Sequence, residues 1–307
     1  MIPIRVLVTG GSGRIGKRLV PELMKSGHKV VVFDSVEPQQ LGGYRFIKGD
    51  LRDLEALEKA TKGIDAIIHL AAIPLDLPQE YKKLWDVNVT GTFHVLEAAK
   101  RNSVKKIVFA SSVCVWGFGF WKEPLDIKFF PINEEHPCFK YAQDMYGLSK
   151  TIGEQLCYMY TKRFDITTIC LRLASVMFIA PEGGPARDWL EEFEQYMRPY
   201  FQKPESCIDK PEKDWVWEYS VGQDVVQAFL LALEKKGVKH GVYNIGATDT
   251  PTELDSLELI RMFYPKVPLI SNKTDFLADE KRALFDISKA QKELGYKPKF
   301  SWRRAVT

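Results

Sequence analysis

Long apolar runs are missing from this 307-residue chain. None reaches the roughly 18–20 residues that a membrane-crossing helix needs, so no span is expected. Cysteine is scarce. The five (Cys114, Cys138, Cys157, Cys170 and Cys207) are odd in number, and no two form a Cys-x-x-Cys pair. That argues against a disulfide framework and points to reduced, mostly buried thiols in a cytoplasmic protein. Charge of one sign is also missing. The net charge is +3 with both signs mixed, and no long basic run offers itself to nucleic acid or an anionic membrane. There is no repeat period and no low-complexity segment. The opening, IRVLVTGG, lacks the charged region and cleavage site of a secretory signal. What is present is ordinary for a soluble globular protein, 45% hydrophobic and 27% charged residues, with length for one large domain or two sharing a cleft.

Short apolar runs alternate with helix-like stretches. IRVLVTG, HKVVVFD, YRFIKGD, IDAIIHLAA, VKKIVFASS and DITTICLRL read as buried strands. Between them, IGKRLVPELMKSG, DLEALEKATKG, YKKLWDVNVTGTFHVLEAAKRN and MYGLSKTIGEQLCYMYTKRF read as helices, the first weakened at Pro21. Such alternation means right-handed crossovers and a doubly wound parallel α/β sheet of Rossmann type. The pattern lapses at 174–219, which is rich in proline and glycine with one helix expected near 187–197, and returns in DVVQAFLLALEKKG and GVYNIGA. The expected division is a nucleotide-binding part, 1–173 with 220–247, and a smaller irregular α/β substrate part, 174–219 with 248–307.

VTGGSGRIG joins the first strand to its helix, with Gly10, Gly13 and Gly16 at three-residue intervals. Glycines there permit a sharp turn and the approach of a pyrophosphate to the helix N-terminus. Asp34, ending the second strand, can accept both ribose hydroxyls of adenosine and would repel a 2′-phosphate, which favours NAD over NADP. Asp50 and Leu51 end the third strand, where such a sheet faces adenine. Ala71 and Ala72 end the fourth; their small side chains suit either a passing cofactor or simple tight packing.

Three tyrosines stand four places before a lysine: Tyr44 with Lys48, Tyr146 with Lys150, and Tyr158 with Lys162. On a strand that spacing spans about 13 Å, which excludes contact for Tyr44. The other two pairs lie on one helix, where i and i+4 are neighbours. Ligands gather at strand C-terminal ends, next to helix N-terminal ends, which selects Tyr146 over Tyr158, about 18 Å further along the axis. A phenol with a nearby cation can act as a base. Ser112, ending the fifth strand, can hold the substrate oxygen or serve as a local turn former.

With TGGSGRIG, GDLRD, HLAA, NVTGT, SSVCVWG, YGLSK and LFDISKAQKELGYKP in hand, the chain resembles an extended short-chain dehydrogenase/reductase of the NAD-dependent epimerase/dehydratase group over nearly its whole length. The resemblance implies catalytic roles for Ser112, rather than Ser111, and for Tyr146 and Lys150, with Lys150 also holding the nicotinamide ribose. It further implies cofactor contacts from Arg14, Ile15, Leu70 and Asn88, a substrate contact from Val113, and a homodimer built on helices 81–101 and 146–163. Departures concern the substrate. Where nucleotide-sugar epimerases carry Arg-x-x-Asn, this chain has Arg172 and Ser175; where they carry a diphosphate-binding arginine, it has Trp217; Asp279 remains available to a ribose. Uronate dehydrogenases are similar around Ser175, Pro181–Glu182 and Arg187, an arginine that would fork onto a sugar carboxylate or else sit on the surface. The expected activity is NAD-dependent hydride transfer at a sugar hydroxyl carbon. Nucleotide-sugar epimerisation of the UDP-glucose 4-epimerase kind is the family default, an aldose or uronate dehydrogenase is the alternative, and a non-catalytic NAD sensor is a third reading. No metal is expected.

Overall fold

The computed structural model describes residues 3–38, 42–117, 127–137, 144–178, 218–252, 254–268 and 273–301. The helix expected near 187–197, Arg187, Trp217, Cys138 and Cys207 fall outside them. The apolar runs become strands β1 (Arg5–Thr9), β2 (Lys29–Asp34), β3 (Arg45–Lys48), β4 (Ala66–His69), β5 (Lys106–Ser112) and β6 (Thr167–Leu173). A short pair, β7 (Val176–Met177) and β8 (Ser220–Val221), stands apart, and β9 (His240–Ile245) joins the main sheet. That sheet has seven strands in the order β3-β2-β1-β4-β5-β6-β9, every pairing parallel. Continuous rather than alternating burial, as in β4 and β5, is what a sheet covered on both faces requires.

One face is closed by α1 (Gly16–Lys25) and α6 (Gly222–Glu234), which contribute Leu19, Leu23, Val225 and Phe229 to its core. The other is closed by α2 (Leu54–Ala60), α4 (Gly91–Arg101) and α5 (Met145–Phe164) through Leu57, Val95, Cys157 and Tyr160. A separate cluster joins Val113, Trp116 and Phe130 to Leu259, Phe276 and Phe285. Helix α1 runs through Pro21 without a break. Pro21 and Lys17, whose carbonyl loses its partner, are both exposed, so the missing hydrogen bond is not one that the core requires. The long helix expected over 81–101 is divided into a short α3 (Tyr81–Leu84), a π-helical stretch Trp85–Thr90, and α4.

The chain proceeds outward from β1 to β3 and returns to β4 on the other side of β1, so the order reverses between β1 and β4. In an open parallel sheet that reversal leaves a crevice at the strand C-termini, the place where ligands bind. No helix among the described residues is long and apolar enough to cross a membrane.

Candidate active site

The turn between β1 and α1 lies at this reversal. Gly10 has a φ of +74°, and a methyl on it would come within 2.6 Å of the Ala71 amide nitrogen. Gly16 allows equally close packing inside the turn, where a Cβ would meet Gly11 Cα at 2.5 Å. Below, the ends of β1 and β4 are clamped by His69, with Nδ1 2.7 Å from Thr9 Oγ1 and Nε2 3.0 Å from Thr92 Oγ1. Burial, then Lys150, drives that imidazole down to about 3, so it works as a neutral polar link. The turn opens on a cavity of about 420 Å³ lined by Gly10, Gly13, Asp34, Asp50, Leu51, Leu70, Ala71 and Ala72, all expected from the sequence, and by Ser12, Arg52 and Ile73, which were not. Glycines where a Cβ would intrude, together with an acid at the far strand end, fit the residues to a dinucleotide.

Asp34 accepts from the amides of Ser12 (2.9 Å) and Val36 (3.0 Å), which fixes its carboxylate beside the turn. Asp50 is already engaged. Arg52 donates to it through Nε (2.9 Å), Nη2 (2.6 Å) and its own amide (2.9 Å), an exchange that lowers the carboxyl's pKa. The acid expected to meet adenine therefore presents a carboxylate–guanidinium pair to the cavity. Asn88 is also committed within the protein. Its Oδ1 accepts from Ile73 N (2.8 Å), and its Nδ2 donates to Ile73 O (3.0 Å) and Ser149 Oγ (3.1 Å), while Ser149 Oγ donates to Tyr146 O (2.7 Å). This chain of bonds ties the end of the cavity to the first turn of α5. Arg14 is exposed, with its carbonyl accepting from Arg18, and Ile15 packs on the core beneath.

The three tyrosine–lysine pairs separate clearly. Tyr44 precedes β3. Tyr158 is exposed against His240, with Lys162 over its ring. Tyr146 and Lys150 occupy the start of α5, next to the end of β5. Lys150 is buried; its Nζ donates to Ala110 O (2.8 Å) and lies 5.6 Å from the Tyr146 ring centroid. Burial pulls this ammonium down to about 8. The Tyr146 phenol is raised, chiefly by burial and also by Cys114 and Asp144, with the Ser112 hydroxyl acting the other way. A phenol with a nearby cation was expected to suit the role of a base; within the protein, burial holds it up. Ser112 serves in two ways: Oγ accepts from Cys114 N (3.1 Å) to start the turn Val113–Trp116, and it adjoins Tyr146. Ser111 is spent elsewhere, donating to Glu154 Oε1 at 2.6 Å.

Near the end of β6, Arg172 is buried in a two-pronged pair with Glu154, 2.9 Å on each prong. Ser175 donates through its amide and hydroxyl to Glu218, which sequence reasoning missed because nothing in WEYS marks that acid as buried. Burial pushes Glu218 up to about 8. Val113 is buried in the third core cluster, and Asp279 stands exposed, its carbonyl closing a turn with Arg282 N. Asp144, also missed, caps α5 through Gly147 N (2.6 Å); an Asp directly before a helical run is a start signal that could have revealed it.

A parallel sheet opening at a glycine turn, beside a helix that begins with a tyrosine and a buried lysine one turn on, is the build of a short-chain dehydrogenase/reductase. The chain belongs to the NAD dependent epimerase/dehydratase family, whose model matches residues 6–246, and NAD is accordingly its cofactor. A UDP-glucose 4-epimerase of Lactobacillus helveticus is 30% identical over 330 residues, covering 96% of this chain and 92% of that protein. A uronate dehydrogenase of Pseudomonas syringae pv. tomato is 32% identical over 173 residues, 56% of this chain and 59% of that protein's length. Among solved structures, a short-chain dehydrogenase/reductase superfamily protein from Agrobacterium tumefaciens with bound NAD aligns with a TM-score of 0.71 and 23% identity, over 98% of this chain and 94% of that one; it bears on the fold alone.

Proposed function

We propose that the chain transfers hydride at a hydroxyl-bearing carbon of a sugar, with nucleotide-sugar epimerisation of the UDP-glucose 4-epimerase kind as the first reading. The observation that carries this is the meeting of Ser112, Tyr146 and Lys150 at the end of β5, tied through Ser149, Asn88 and Ile73 to the end of the cavity. In this reading Gly10, Gly13, Gly16 and Asp34 hold the cofactor, Ser112 orients the substrate hydroxyl, and Tyr146 Oη takes its proton. The Lys150 ammonium opposes the cost that burial places on the phenolate. When bound, NAD supplies the hydride acceptor, and an epimerase differs from a dehydrogenase in whether the hydride is returned. The substrate is held by the part comprising 174–219 with 248–307, and the active form is a homodimer.

The alternative is an NAD-dependent dehydrogenase of a free aldose or uronate. It draws support from the identity with the Pseudomonas uronate dehydrogenase and from Ser175, committed to Glu218, where epimerases of this group carry asparagine. The test incubates the protein with NAD and UDP-glucose, a hexuronate or a neutral aldose in turn. Conversion of UDP-glucose to UDP-galactose without net NADH supports the first reading; NADH accumulating with a free sugar replaces it with the second. Tyr146→Phe should cut turnover by at least about a hundredfold while NAD still binds. Unchanged turnover in that variant removes Tyr146 from catalysis, and NAD binding with no turnover on any sugar leaves a sensor.

A further inference from the structure

We propose that Phe109 is a positioning residue for Lys150: the face of its ring, fixed on the sheet, seats the buried ammonium at the end of β5. The inference rests on Lys150 serving the proposed hydride transfer.

Phe109 lies on β5 near Ser112 and is 2% exposed. Its side chain is on the α4 and α5 side of the sheet, in one cluster with Val95, Cys157 and Tyr160. The ring is packed from two directions. His69, its register partner on β4, has its ring 5.6 Å away, and a methyl on Gly153 of α5 would come within 2.5 Å of Phe109 Cζ. Gly153 thus leaves the space that this ring fills. Lys150 Nζ stands over the ring, 5.1 Å from its centroid, with the Tyr146 ring at 5.6 Å. Both distances fall within the roughly 6 Å at which an aromatic face attracts a cation.

A buried ammonium has three donors and a charge to satisfy. Among the described residues, Nζ makes one hydrogen bond, to Ala110 O at 2.8 Å. The titratable groups around it are His69 on β4, Cys114 on the turn after β5, and Tyr146 on its own helix. Burial keeps His69 neutral and Cys114 a thiol, so neither lends a negative charge. The carboxylates of the neighbourhood are held by other partners: Glu154 by Arg172 and Ser111, Asp144 by Gly147 N, and Glu218 by Ser175. The negative face of an aromatic ring therefore supplies part of what water or a carboxylate would give this ammonium. Burial pulls Lys150 down to about 8, and the ring acts against that pull.

Phe109→Leu keeps an apolar side chain in the cluster and removes the ring face. Protein carrying 13C at lysine Cε is titrated without sugar, and the Lys150 resonance is identified by its loss in Lys150→Met. The Lys150 midpoint should fall by about one unit in Phe109→Leu, roughly a tenfold loss of ammonium at a fixed pH above it. The alkaline limb of kcat/KM should move down with it. A role in packing alone predicts the opposite sign or no shift, because a looser core admits water and relieves burial, which raises an ammonium. Val95→Ala, a packing defect in the same cluster with the ring retained, should leave the midpoint in place. Phe109→Met, a second apolar side chain without a ring, serves if the leucine variant does not fold. A midpoint unmoved or raised in the folded variant, or lowered equally by Val95→Ala, overturns the proposal. The titration needs no substrate, so it decides on Phe109 even if no sugar turns over, a result that would dismiss the proposed function by itself.

Discussion

A carboxylate removed from water must meet a cation or hold its proton more tightly. This chain does both within one neighbourhood. Glu154 meets the Arg172 guanidinium on two prongs. Glu218, equally buried, has the Ser175 amide and hydroxyl, and burial lifts it from 4.5 to about 8. The sign follows from linkage. The folded state binds this proton more tightly than the unfolded state, so the associated stability is complete below about 4.5 and is lost as pH rises toward about 8. Glu218→Gln keeps an acceptor for Ser175 and has no charge to bury. Its melting temperature should therefore fall less than the parent's between pH 6 and pH 9, with the variant more stable at the alkaline end, by up to about 5 kcal/mol. Parallel melting curves across that range would show that Glu218 is neutral or solvated throughout.

At the level of elements, the turn from β1 to α1 works because two backbones nearly touch. Gly10 combines a left-handed φ with a Cβ position 2.6 Å from Ala71 N, and neither neighbour is a side chain that can swing away. Gly10→Ala should displace the end of β4 and weaken NAD binding at least about tenfold, near 1.4 kcal/mol. Gly27→Ala is the control: Gly27 has a φ of +87° but nothing within 4 Å, so it carries the backbone strain alone and should lose stability without losing affinity. Calorimetric titration of both variants with NAD separates the two effects, and equal affinities would dismiss the contact. This turn was legible in the sequence because strand, glycines and helix are consecutive. The same holds for the seven-strand sheet, whose strands are short apolar runs, and for Tyr146 and Lys150, whose helical spacing brings them to one end of α5. What was not legible depends on distant partners. Asn88 finds Ser149 across 61 positions, Asp76 finds Met145 across 69, and Ser175 finds Glu218 across 43, and no local pattern encodes such meetings. The π-helical stretch inside 81–101 was hidden for the same reason, since Asn88 within it is pulled toward Ile73.

For the whole molecule, the two faces of the sheet differ in what they leave uncovered. Helices α4 and α5 pack together, with Tyr160 Oη donating to Glu97 at 2.5 Å; they carry Phe93, Tyr158, Met159 and Phe164, and the π-helical stretch before α4 carries Trp85, each 40–47% exposed. Part of this is used within the chain, since Tyr158 rests on His240 and Phe164 lies under the Lys100 ammonium. Phe93 lies against its neighbour His94, and Trp85 and Met159 remain. Single exposed apolar side chains are normal in a monomer, whereas a group of them on two packed helices suits an interface. A two-fold axis through this face would set α4 and α5 against the same helices of a second copy, an isologous contact that each chain can complete. The homodimer reading therefore makes a definite demand: sedimentation equilibrium at micromolar concentration should give twice the chain mass, little changed by added salt because the contact is apolar. Phe93→Asp combined with Met159→Asp should halve that mass while leaving the far-ultraviolet dichroism intact. The cavity is lined by residues of one chain, so the resulting monomer should still bind NAD. A single-chain mass for the unaltered protein would remove the dimer and leave these side chains as ordinary surface.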